Sequence, residues 1–260
     1  MNGVTQKGAA LVTGAGDRLG KAMALALADD GYAVAVHFNS SQTKARAVVT
    51  AIEQKGGKAV AVGANLASED ETASLIARAT AAVGPLTLLV NSASLFEGDD
   101  IDTMTAQSWN AHLSVNLRAP AKLAQDFAAQ VPEAATNDPH ALIVNLIDQR
   151  VWKLTPQFLS YTVSKAALWT MTQTLAQALG PRGVRVNAIG PGPTMRNKRQ
   201  SEDDWRQQNE ATVLGHGADP DDIVAALRYL LSARAVTGQM IAVDGGQHLV
   251  WQTPDVMINE

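Results

Sequence analysis

Tyr161 and Lys165 stand four residues apart in SYTVSKAAL, a spacing that puts both side chains on one face of a helix. A phenol with its ordinary pKa of about 10 exchanges protons poorly at neutral pH, and an ammonium held close stabilises the phenolate and lowers that value. The pair reads as proton-transfer machinery. Asp148 ends the apolar run HALIVNLI, thirteen residues before Tyr161, and is expected at the same crevice. Asn116, in HLSVNLRAP, puts an amide into an otherwise amphipathic pattern, where it could steady backbone or water. These four are the candidate catalytic residues. A YxxxK pair alone is weak, because it occurs by chance in many chains.

Asp148 narrows the chemistry. Ketone reduction creates an alkoxide, which needs hydrogen-bond donors and is repelled by an ionised carboxylate. Reduction of a carbon–nitrogen double bond needs a proton at nitrogen, and a carboxylate can accept from amidine-like N–H groups or relay that proton. A nitrogen heterocycle suits such a site better than a simple ketone. Phe96, in the segment after the fourth apolar run, could stack on a flat ring.

Such residues need a scaffold that brings them together. The run GAALVT at 8–13 stops at the glycine-rich segment Gly14–Gly20, and LGKAMALALADD follows with apolar residues at helical spacing. That order is strand, tight turn, helix, and it is the form of a dinucleotide-binding turn: bare backbone approaches a diphosphate at a helix start. Further strands are expected at 33–38, 58–64, 86–93, 140–147, 183–189 and 238–246. Helices are expected at 42–55, 69–83, 106–131, 157–179 and 219–232, the last marked by Asp219, Pro220 and Asp222. Strands that are apolar throughout, alternating with helices, predict a doubly wound Rossmann fold with a seven-stranded parallel sheet flanked by helices. Residues 94–105 read as an irregular loop and 190–217 as an insertion beside the strand ends, where lids close.

The second strand exits through His37, Phe38, Asn39, Ser40 and Ser41, with no acid to hold ribose hydroxyls. Arg18 in the first turn can offer a guanidinium to a 2′-phosphate, so NADPH is favoured over NADH. Asn39 and Ser40 could equally cap the helix that follows.

The remaining composition mainly excludes. A chain of 260 residues, 46% hydrophobic and 18% charged, suits one domain over 1–260. Without cysteine there is no disulfide or thiol chemistry, and the five histidines never fall at metal-ligand spacing. A formal charge of −4, with the basic run at 197–200 answered by SEDD, makes nucleic acid a poor partner. No signal peptide or membrane-length apolar run is visible, so a cytoplasmic location is expected.

The motifs TGAGDRLG at 13–20, NSAS at 91–94, Asn116, YTVSK at 161–165, PG at 191–192 and VDGG at 243–246 together resemble the classical short-chain dehydrogenase/reductase family over roughly residues 8–247. The resemblance implies Tyr161 as acid/base, Lys165 as the residue that lowers its pKa and holds the nicotinamide ribose, and Asn116 as keeper of a relay water. It implies cofactor contacts at Gly14, Arg18, Leu19 and Gly20 in the turn, at residues 37–41, and at Asn65 and Leu66 beside the adenine. Further contacts are implied at Asn91, Ser92 and Ala93 and at Pro191 and Gly192. The lid at 190–217 would cover substrate, and the helices at 106–131 and 157–179 would join a homotetramer. Trp251 is expected near a subunit boundary.

Three departures from the common pattern, Arg18, NSAS and Asp148, are similar to the pteridine reductase branch, which includes bacterial dihydromonapterin reductases with dihydrofolate reductase activity. By that likeness Arg18, Ser94, Phe96, Asp148 and Tyr161 would meet a pterin. The implied reaction is hydride transfer from NADPH to C6 of a 7,8-dihydropterin (dihydromonapterin, dihydrobiopterin or dihydrofolate), with protonation at N5. The alternatives are an NADPH-dependent reductase of a ketone or acyl-carrier substrate on the same fold, and a non-catalytic dinucleotide sensor or scaffold.

Overall fold

In a computed structural model that describes residues 7–131, 141–197 and 199–250, the chain forms the expected seven-stranded parallel sheet, in the order β3-β2-β1-β4-β5-β6-β7. The strands are β1 (Gly8–Val12), β2 (Tyr32–Phe38), β3 (Ala59–Gly63), β4 (Leu86–Asn91), β5 (Ala141–Leu146), β6 (Val184–Pro191) and β7 (Met240–Val243). After β3 the chain crosses back to lay β4 on the other side of β1, and this switch opens a crevice at the carboxyl ends of the two strands.

The apolar strands follow from cover on both faces. In β1, Ala9 and Leu11 join one cluster with Leu75, Leu123 and Phe127, while Ala10 and Val12 join the other with Met23, Leu27, Ile52 and Leu230. Successive residues point to opposite faces, so both faces demand apolar side chains. The first cluster takes its helical residues from α3 (Glu69–Val83), α5 (Ala119–Gln130) and α6 (Leu159–Leu179); the second from α1 (Arg18–Asp29), α2 (Gln42–Gln54) and α8 (Pro220–Ser232). Asp219 and Asp222 form a reciprocal capping box at the start of α8, where the sequence marks it.

Three expectations are corrected. The helix expected over 106–131 runs without a gap to Gln130 but is not α-helical throughout: α4 (Ala106–Leu113) leads into a π-turn (Ser114–Arg118) before α5 begins. Pro120 has no N–H to give the carbonyl four residues back, at Asn116, and the helix widens there. The 190–217 insertion is not irregular throughout: β6 runs on to Pro191, and α7 (Glu202–Glu210) starts from a capping box of Ser201 and Asp204. The helix expected from 157 starts at Leu159, because Phe158 adopts a left-handed backbone with φ +58°.

Trp251 and residue 140 lie outside the described residues. Among the described residues no helix is long and apolar enough to cross a membrane, and no cluster of His, Asp or Glu could hold a metal.

Candidate active site

The glycine turn is built from bare backbone. Gly14 has φ +66°, and a Cβ on it would stand 2.9 Å from the Ala93 backbone; one on Gly20 would stand 2.3 Å from the Gly14 carbonyl oxygen. Thr13 Oγ1 accepts from the amides of Ser92 and Ala93, each at 3.0 Å, which ties the turn to the end of β4. His37 is buried behind the turn: Nδ1 accepts from Gly14 N–H at 3.0 Å, so Nε2 carries the proton and donates to the Ala64 carbonyl at 3.0 Å. Burial holds the imidazole down at about 4 and keeps it neutral.

A cleft of about 790 Å³ runs from this turn to Asp148 and Tyr161, with residues of the 190–217 insertion in its lining. Gly14, Arg18, Leu19, Gly20, His37 and Asn39 line its first part. Asn65, Leu66, Ser92, Ala93, Pro191 and Gly192 continue its wall. Phe38, Ser40, Ser41 and Asn91 stand outside it. Phe38 lies over Gly63, where a Cβ would come within 2.9 Å of its ring, and Asn91 Nδ2 donates to Asn145 Oδ1 at 2.8 Å inside the sheet. Arg18 directs its guanidinium to the 190–217 insertion, donating to the carbonyls of Met195 at 2.8 Å and Arg196 at 3.0 Å.

Asp148 leaves β5 and caps a short 3-10 turn, Oδ1 accepting from Arg150 N–H at 2.8 Å. Its Oδ2 accepts from the Tyr161 hydroxyl at 2.9 Å. Lys165, one turn along α6, donates to the Leu146 carbonyl at 2.7 Å. Desolvation pushes the Asp148 carboxyl up, against the pull of its two hydrogen bonds and of the Arg150 and Lys165 charges. Lys165 Nζ stands 5.8 Å from the centre of the Tyr161 ring. Burial and the adjoining Asp148 carboxylate push the phenol well up, and Lys165 is spent on a carbonyl 2.7 Å away rather than on the phenol oxygen. Burial brings Lys165 itself down to about 8, opposed by Asp148.

Asn116 sits at the π-turn, fully buried. Its Oδ1 accepts from Leu95 N–H at 2.8 Å and Ser94 Oγ at 3.3 Å; its Nδ2 donates to the Leu95 carbonyl at 2.9 Å and Ser164 Oγ at 3.0 Å. Two donors and two acceptor positions are all used within the chain. The Asn116 side chain thus pins the loop after β4.

That loop carries Ser94 and Phe96 into the cleft wall. Phe96 meets Tyr161 edge-on, ring centroids 4.7 Å apart. From the 190–217 insertion, Arg199 pairs with Glu97 at 2.5 Å, donates to the Phe96 carbonyl at 2.6 Å and lies over the Phe96 ring at 5.3 Å. Sequence reasoning missed Glu97, Arg150, Arg199 and the residues beneath the loop. Nothing in their spacing marks them, because their partners lie up to 102 residues away.

The chain matches the family model described as "Enoyl-(Acyl carrier protein) reductase" over residues 14–248. It is 32% identical over 244 residues to a 3-oxoacyl-[acyl-carrier-protein] reductase FabG of Staphylococcus epidermidis, covering 92% of this chain and 98% of the relative. Two solved structures of FolM Alternative dihydrofolate reductase 1 are more similar. The one from Brucella suis, in complex with NADP, is 46% identical, with a TM-score of 0.89 and coverage of 95% of this chain and 97% of that one. The one from Brucella canis, complexed with NADP, is 45% identical, with a TM-score of 0.91 and coverage of 97% and 98%. The glycine turn, the Tyr161 and Lys165 pair and these likenesses agree: the chain is an oxidoreductase of the short-chain dehydrogenase/reductase family, closely related to its FolM and pteridine-reductase-like members.

Proposed function

We propose that this protein is an NADPH-dependent reductase of 7,8-dihydropterins, working in the cytoplasm as a homotetramer. The observation that carries the substrate reading is the hydrogen bond of 2.9 Å from Tyr161 to the Asp148 carboxylate at the cleft floor. A site for ketone reduction needs a free donor where the oxygen becomes negative, and here the phenol hydrogen is engaged by the Asp148 carboxyl group. A raised carboxyl pKa suits Asp148 to hold a proton and give it to a ring nitrogen, with Tyr161 next in line to exchange it.

The bare backbone of the Gly14–Gly20 turn and the absence of an acid at Asn39 fit a dinucleotide phosphate. Arg18, Asn39, Asn65 and Lys165 would hold it. When bound, NADPH supplies the hydride, directed at C6 of the dihydropterin. Phe96 and Ser94 form the wall against which a flat ring is aligned, and the lid excludes water from it.

Steady-state kinetics with dihydromonapterin, dihydrobiopterin and dihydrofolate, each with NADPH and with NADH, test the reading. Turnover of at least one dihydropterin with preference for NADPH is expected. The substitution Asp148→Ser is expected to abolish it; a variant that reduces ketones as well as or better than the parent, from a parent inactive on pterins, would establish a carbonyl reductase instead.

A further inference from the structure

Beneath the Phe96 loop lies a buried polar cluster that none of the proposed chemistry uses: His112 on α4, Ser160 at the start of α6, and Asp99 at the end of the loop, exposed by 0%, 0% and 7%. Its hydrogen bonds leave one consistent arrangement of protons. Nε2 of His112 accepts from the Glu97 amide at 3.2 Å, so that nitrogen is bare. Nδ1 faces the Ser108 carbonyl at 2.9 Å, which can only accept, and therefore carries the proton, shared with Ser160 Oγ at 2.7 Å. Ser160 in turn gives its hydroxyl proton to Asp99 Oδ2 and its amide to Oδ1, and Asp99 also receives Ser108 Oγ at 3.0 Å. Asp99 thus binds the loop to the first turn of α6, one residue before Tyr161.

The rest of the loop is supported from the same side. Phe158, held at φ +58°, stacks on Phe96 with ring centroids 4.5 Å apart and planes 10° from parallel. Glu97, whose amide His112 holds, is the residue that Arg199 of the lid grips. A left-handed backbone is uncommon for an aromatic residue and persists where the surroundings enforce it.

We infer that His112, in its neutral Nδ1–H form, is a positioning residue for substrate: it fixes the Glu97 backbone, and through it the aspect of Phe96 and the closing point of the lid, relative to Tyr161. The consequence for substrate rests on the dihydropterin reading above; the structural consequence does not. Replacing the imidazole by a ring without nitrogen leaves the Glu97 amide unpaired and the loop loose, while the glycine turn on the far side of the cleft keeps its contacts.

Two substitutions test this. His112→Phe is expected to raise KM for the dihydropterin about 10-fold, the usual order for an unpaired buried donor, with KM for NADPH and kcat each within about 2-fold. His112→Gln, which keeps an acceptor and a donor, is expected to recover most of the loss. Amide exchange over residues 95–99 is expected to accelerate in the Phe variant and to return toward the parent rate in the Gln variant. An unchanged dihydropterin KM in His112→Phe, or a uniform loss of all kinetic parameters in both variants, would overturn the inference. If the parent turns over no dihydropterin, the functional reading fails, and exchange over 95–99 still decides the role of His112: equal protection in parent and Phe variant sinks it. If the Phe variant does not fold, the nitrogen-15 spectrum of the parent decides, an Nε2–H tautomer being the adverse result.

Discussion

Tyr161 gives its hydroxyl hydrogen to the Asp148 carboxylate and sets its ring edge-on to that of Phe96. Removing the hydroxyl in Tyr161→Phe is expected to lower kcat by about 10²- to 10⁴-fold, the range for a lost acid–base group, with NADPH affinity kept because the cofactor turn is elsewhere. Fluorescence titration with NADPH beside single-turnover rates checks both halves; undiminished turnover removes Tyr161 from the proton path. His37 makes a pH prediction. Imidazole ordinarily titrates at 6.5 and His37 in the fold at about 4, so below 6.5 the unfolded chain binds a proton that the native state refuses. The stability that neutral His37 contributes is complete above 6.5 and falls as the pH drops toward 4. The loss approaches about 3 kcal/mol at the bottom of that window. Urea unfolding at pH 7 and pH 4.5 should show this slope in the parent and a shallower one in His37→Gln; identical slopes would remove His37 as its source.

Among the elements, the 190–217 insertion, the proposed lid, is held by two arginines from opposite directions. Arg18 reaches up from the turn to the carbonyls of Met195 and Arg196, and Arg199 reaches down to Glu97 and Phe96. The Arg199–Glu97 pair is solvent-exposed, and such pairs contribute only about 0.2–1 kcal/mol. Arg199→Ala is therefore expected to raise KM for substrate about 3- to 10-fold through the pair and the carbonyl bond together, while kcat holds or rises because a looser lid releases product sooner. Viscosity dependence of kcat in parent and variant reads the release step; a collapse of kcat would show that the lid takes part in the chemistry. The π-turn is the other element with a function. It carries Asn116, whose side chain meets the backbone of Leu95.

At the scale of the molecule, the sheet order places the glycine turn of β1 beside the Ser92–Phe96 segment after β4 and the Asp148 turn after β5. The helix α6 carries apolar residues around its circumference, including Val163, Leu168, Trp169, Met171 and Leu175, and Val163 is exposed in the single chain. A helix of that kind asks for cover on its outer side. Light scattering of the purified protein is expected to give four times the mass of one chain; a monomer at micromolar concentration would refute the tetramer.

Local order determined most of what was legible in advance. Apolar runs punctuated by turns specify strands and helices, the bare glycines specify the phosphate turn, and YxxxK at helical spacing needs no partner far along the chain to be read. The widening before Pro120 and the Ser201–Asp204 cap are equally local, set by a missing proline N–H and by a serine three residues before an aspartate. The state of the site was decided by the tertiary structure, because it depends on groups distant in sequence meeting at hydrogen-bond range. Asp148 accepts a hydrogen bond from the Tyr161 hydroxyl, the Leu146 carbonyl accepts from the Lys165 ammonium, the Leu95 carbonyl accepts from the Asn116 amide, and the Met195 carbonyl accepts from Arg18. Burial then shifts the pKa values in directions that spacing alone does not convey, since desolvation belongs to the folded cleft and not to the neighbouring residues of the chain.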